Sequence, residues 1–183
     1  MKRLLIMVLV AGMAGAAWGG ELAGVTMSDT AQVGGETLTL NGMGLRKKAV
    51  IKVYVAGLYL TEKSNDASAI LKADSARRTA MEFRFGVGAE KMCDAWKEGL
   101  EANTADPSAE LKGKFDQLCE YQADMDKGQM MIYTYVPGKG TEVEIEGDVK
   151  GIIEGKDFAD ALFACWIGPN PPNEAFKKGL LGL

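Results

Sequence analysis

Histidine is missing from all 183 residues. Its absence removes Ser-His-Asp and Cys-His nucleophilic catalysis, the usual zinc sites and imidazole as a base near neutral pH. Any catalysis would fall to Arg, Lys, Tyr, Cys or carboxylates, which counts against hydrolases in particular. Internal repeats, low-complexity tracts and linkers are also missing. A chain of this length therefore reads as one domain with a real core. No cofactor signature occurs. Gly42-Met43-Gly44 followed by Lys47 lacks the third glycine of a dinucleotide fingerprint and the spacing of a phosphate loop, and it precedes a strand. These glycines read instead as permitting a turn or a close approach of backbone, and no cofactor is expected.

An apolar content of 47% with 25% charged residues fits a globular protein. The first residues depart from that pattern. A basic MKR start, the apolar run LLIMVLVAGMAGAAW and small residues around Trp18 have the form of a secretory signal peptide over residues 1–19. The run is short and Gly/Ala-rich for a spanning helix, though an uncleaved anchor is the alternative. Export is expected, to the periplasm if the cell is bacterial, with residues 20–183 as the mature domain. Cleavage would remove Lys2 and Arg3, leaving 19 basic against 25 acidic residues, a net charge of −6. Overall charge gives such a chain no attraction to nucleic acid or anionic lipid, and no stable membrane span remains after processing.

Cysteine is scarce, with Cys93, Cys119 and Cys165 alone. The spacing of apolar residues predicts helices over residues 89–103 and 108–123, separated by a turn with Asp106 as N-cap and Pro107 at the first helical position. Folding the two helices back about residue 106 puts Cys93 and Cys119 at equal height on inward faces. A Cys93–Cys119 disulfide is expected, worth about 3 kcal/mol for that loop. The alternative is two free thiols packed as small apolar groups.

Strand signals dominate the rest. Gly34-Gly35 lies between alternating segments and predicts a hairpin. Residues 50–60 form a long strand, apolar on both faces apart from Lys52, as in a strand covered on both sides. A short capped helix over 65–73 precedes an alternating strand over 76–85, with Met81, Phe83 and Phe85 on one face. Residues 129–136 and 142–146 make a second hairpin, and 149–153 a further strand. A strongly apolar helix spans 157–167, and Asn173 caps a last short helix. The fold class is α+β, a large curved antiparallel sheet with a helical layer on one face.

Composition alone makes Arg46 part of a solvated basic edge with Lys47 and Lys48. Tyr54 lies on the strand that follows. A guanidinium near a phenol at the mouth of an apolar space would hold a carboxylate or phenolate by charge-assisted contacts. The bland reading of Tyr54 is a core tyrosine with a satisfied hydroxyl.

NGMGLRKKAVIKVYVAGLYL resembles the segment by which chalcone isomerases and their relatives place an arginine before a long strand. Gly42, Gly44, Arg46, Lys52, Gly57, Tyr59 and Leu60 occupy the motif's places. Ala95-Trp96-Lys97 and the Ile167-Gly168 ending of the apolar helix match in register, and the resemblance covers most of residues 24–182. It implies an open-faced β-sandwich. It also implies that Arg46 matches the arginine that polarises the substrate carbonyl in the plant enzymes. The polar partners of that cyclisation have changed: Tyr54 replaces a threonine, Arg84 and Lys91 fall near the places of a tyrosine and an asparagine, and Cys165 replaces a threonine. An Arg and Tyr pair gripping a carboxylate is similar to the family's fatty-acid-binding members. The expectation is a non-catalytic protein holding a small amphipathic ligand by Arg46 and Tyr54, with Leu58, Leu162, Cys165 and Trp166 around its tail. The alternatives are an intramolecular lyase or isomerase acting on a chalcone-like enone through Arg46, and a cell-envelope interaction module without a ligand.

Overall fold

The computed structural model describes residues 19–183, so the expected signal peptide lies outside the described residues except for Gly19. In chain order the elements are β1 (Glu21–Leu22), β2 (Val25–Thr26), β3 (Thr30–Val33), β4 (Glu36–Lys48), β5 (Ile51–Leu60), α1 (Ala67–Lys72), β6 (Arg77–Phe83), α2 (Ala89–Asn103) and α3 (Ala109–Glu120). Then come β7 (Met130–Val136), β8 (Gly140–Ile145), β9 (Asp148–Ile153), α4 (Lys156–Ile167) and α5 (Glu174–Leu180). Strands β3 to β9 form one seven-stranded sheet in sequential order, every pair antiparallel; tight turns join all neighbours except β5 to β6, which are linked through α1, and β6 to β7, which are linked through α2 and α3. The expected α+β class, a curled sheet with helices laid on it, is what the chain adopts.

Alternation along β5 explains why both its faces are apolar. Tyr54, Ala56, Leu58 and Leu60 enter the main core beneath α2, α3, α4 and α5. Val55 and Tyr59 face the other way, into a second cluster with Val25, Met27, Leu38 and Leu40. The chain turns from β3 to β4 through Gly34 and Gly35, with φ of 57° and 90°, a backbone that glycine adopts without strain. Helix α4 is buried along nearly its whole length, as its composition requires.

Several expectations need correction. Asn41-Gly42 is no turn, because β4 runs through it with a register shift between Leu40 and Gly42. The Asn41 amide is occupied elsewhere: it donates to the Ser64 and Leu180 carbonyls and accepts from the Ser64 N–H. Val50 is the exposed tip of the β4–β5 turn and not a strand residue. A second register shift, between Arg46 and Lys47, breaks the two-residue period between Lys52 and Tyr54. Helix α3 is capped by Ser108, whose hydroxyl accepts from Leu111 N–H, so Asp106 and Pro107 stay in the turn. Phe85 lies past the end of β6 and is exposed, unlike Met81 and Phe83.

Cys93 and Cys119 are joined in a disulfide that ties α2 to α3, with the Cα atoms 5.0 Å apart. Cys165 is the free, buried cysteine.

Candidate functional site

Strand pairing brings the first two site residues together. Arg46 on β4 lies directly opposite Tyr54 on β5, and both side chains stand on the helix-covered face. The glycines of the preceding motif set the height of the helical layer there. A Cβ on Gly42 would come 2.2 Å from the Gly179 carbonyl oxygen, and one on Gly44 would come 2.5 Å from that of Phe176. Helix α5 therefore rests its backbone on β4. That is the close-approach reading of Gly42-Met43-Gly44, and it seats Phe176 against Tyr54, with ring centroids 5.7 Å apart.

Helix α4 supplies the roof. Trp166 packs edge-on to Trp96 at 5.2 Å and lies 5.6 Å from the Tyr133 ring. Leu58 and Leu162 are buried in the same cluster. Cys165 points toward α2, where a Cβ on Gly99 would meet its Sγ at 2.7 Å, and its thiol donates to the Ala161 carbonyl. Arg46, Trp166 and Cys165 thus gather around Tyr54 between sheet and helices, while Leu58 and Leu162 share the main core with them. Aromatic rings pack through that region, with the Tyr54 ring 5.7 Å from those of both Phe83 and Phe176. Two clefts lie at the far end of the sheet, one of about 340 Å³ and one of about 390 Å³.

Burial pushes the Tyr54 phenol up to about 12; the Trp166 indole and the Arg46 charge oppose that only in part. The Cys165 thiol is likewise raised to about 12 by burial. Both are protonated and poor bases near neutral pH. The donors at this site are largely unspent. Trp166 Nε1 sits close enough to Tyr54 to favour its phenolate, yet no acceptor among the described residues is aligned for a hydrogen bond to it. Arg46 donates to the Lys47 carbonyl, and among the described residues no carboxylate lies within ion-pair distance of it.

One polar centre escaped the sequence reasoning. Arg77 is completely buried, paired with Asp160 at 2.5 Å, bonded to the Ile70 carbonyl at 3.0 Å, and stacked between the Tyr135 and Phe163 rings. A signal existed. The period of β6 puts Arg77 on the same face as Thr79, Met81 and Phe83, which is the buried face.

A sequential antiparallel sheet with a helical layer and an Arg/Tyr pair beneath its last helices defines an α+β open-faced sandwich. The chain belongs to the chalcone isomerase-like family, whose family model matches residues 19–182. Among solved structures it is similar to an Arabidopsis thaliana fatty-acid binding protein, with 18% identity and a TM-score of 0.69. That match covers 86% of this chain and 92% of the plant protein. A search of curated proteins finds no significant match.

Proposed function

We propose that this is an exported, non-catalytic protein that binds a small amphipathic ligand such as a fatty acid. The ligand's acid group would be held by Arg46 and Tyr54, with the Trp166 N–H as a further donor. The observation that carries the reading is the convergence of these unspent donors on one apolar region. A buried N–H without an acceptor is costly, and an incoming carboxylate would satisfy it with charge-assisted bonds. The fatty-acid-binding title of the structural relative supports the ligand class. Cyclisation of an enone is disfavoured, because burial keeps Tyr54 and Cys165 protonated near neutral pH and neither serves there as a base.

The tail would need space that Tyr54, Phe176 and Leu162 now fill, so binding requires α5 or α4 to shift from the sheet. That filled interior is also what favours the second reading, an envelope interaction module in which Arg46 is surface charge. Native mass spectrometry and fatty-acid titration of the purified protein and of Arg46→Ala separate the two. Ligand binding predicts co-purifying acyl species and a ten- to hundredfold loss of affinity in the mutant, the value of about one charged hydrogen bond. No acyl species, and no affinity lost on mutation, would overturn the ligand reading.

A further inference from the structure

The β4–β5 hairpin outruns its neighbours. β3 pairs with β4 only as far as Thr39, and β6 pairs with β5 only from Tyr54 onward. Residues 47–53 therefore project past the sheet as a two-stranded finger, closed by a tight turn with Ala49 at φ 53°. The finger is apolar at its end: Val50 is 93% exposed and Ile51 42% exposed. Phe85, 52% exposed, stands beside it, because the Arg84 and Phe85 N–H groups both donate to the Val53 carbonyl. Lys47, Lys48 and Lys52 are exposed around these apolar residues, and the run Arg46–Lys52 contains four cations and no acid.

Three large exposed apolar groups ringed by lysines, on a chain whose overall charge is negative, suit one kind of surface. We propose that this finger docks on anionic lipid bilayers, with Val50, Ile51 and Phe85 entering the interface and Lys47, Lys48 and Lys52 meeting lipid phosphates. An apolar partner protein would want the tip without the cations. Soluble polyanions would want the cations without the tip. A negatively charged membrane interface matches both at once, since lysine stems reach outward to headgroups while the apolar tip sinks between them. The finger's local charge reverses what the total charge implies, so docking has one orientation, with the finger foremost. In that orientation Arg46 and Tyr54, at the base of the finger, face the membrane end of the molecule. A docked bilayer would be a source and destination for an amphipathic ligand, and docking is measurable with no ligand bound.

The disulfide and the buried Cys165 leave a cysteine introduced at Val50 as the exposed thiol for labelling. An environment-sensitive fluorophore on Val50→Cys is titrated with phosphatidylglycerol vesicles and with phosphatidylcholine vesicles. A label on Lys139→Cys, in the β7–β8 turn at the far end of the sheet, is the control. The expected result is a blue shift at position 50 with anionic vesicles alone and none at position 139. Lys47→Glu/Lys48→Glu/Lys52→Glu should weaken the partitioning roughly a hundredfold. No shift at position 50 overturns the proposal. So do equal shifts at both labels, equal shifts on neutral vesicles, or a shift that survives charge reversal.

Discussion

Adding one methyl group at Gly42 tests whether the glycine motif is a packing device. The backbone there does not need glycine's freedom, since its φ is not positive. The obstacle is space: the new Cβ would lie 2.2 Å from the Gly179 carbonyl oxygen and 2.8 Å from the Gly182 nitrogen and the Leu180 carbonyl oxygen. All three are backbone atoms of α5 and its end, so no side chain can swing aside, and the helix must lift from β4. Overpacking of this size costs about 1–3 kcal/mol, here toward the upper end because rigid backbone is met. The unfolded chain loses freedom on Gly→Ala, which returns about 0.4–1 kcal/mol. A net loss of about 2 kcal/mol remains, a fall in Tm of roughly 4–8 °C for a chain of this size. Gly113→Ala is the matched control. Gly113 lies in α3 with nothing within 4 Å of its Cβ position, so the same methyl should stabilise by about 1 kcal/mol. Urea unfolding followed by circular dichroism measures both. If Gly42→Ala stays within about 0.5 kcal/mol of the parent, which is the range of an inconsequential surface change, α5 does not rest on β4 as described and the glycines need another explanation.

Replacing Cys93 and Cys119 together by alanine opens a loop with a sequence separation of 26 residues, and the loss should be about 3 kcal/mol in equilibrium unfolding; a loss under 1 kcal/mol would mean that the crosslink constrains little. At alkaline pH, Tyr54 provides a signed prediction. Burial raises its folded value to about 12 while an unfolded tyrosine titrates at about 10, so its contribution is complete below pH ~10 and is lost as pH rises toward ~12. Cys165, Tyr133 and Tyr135 are raised on folding as well and add to the alkaline loss, so the readout is a difference: the fall between pH ~9 and ~12 should be about 2–3 kcal/mol smaller in Tyr54→Phe than in the parent, and an equal fall in that variant would place the titrating group elsewhere.

Some features needed only neighbours along the chain. The Gly34-Gly35 hairpin, helices α2 and α3 and the all-round burial of α4 follow from period, turn residues and composition within a few residues. The Cys93–Cys119 pairing was legible too, because two helices joined by a short turn fix each other's height. The corrections fall where a distant partner intervenes. Asn41-Gly42 has the composition of a turn, but Ser64 and Leu180 claim the Asn41 amide and the strand runs through it. Phe85 kept the period of its strand but ran past the last β5 partner that could cover it.

The amino-acid sequence by itself determined the class of fold, the disulfide and the absence of an imidazole base, since each depends on composition or on local spacing, and it carried the family through the resemblance of its motifs. Only the tertiary structure decided that Gly42 and Gly44 carry a helix, that Arg77 is a buried cation clasped by Asp160, and that aromatic rings close the space beside Arg46 and Tyr54. These depend on which surfaces meet across the sheet, and residues far apart in the chain set that distance together.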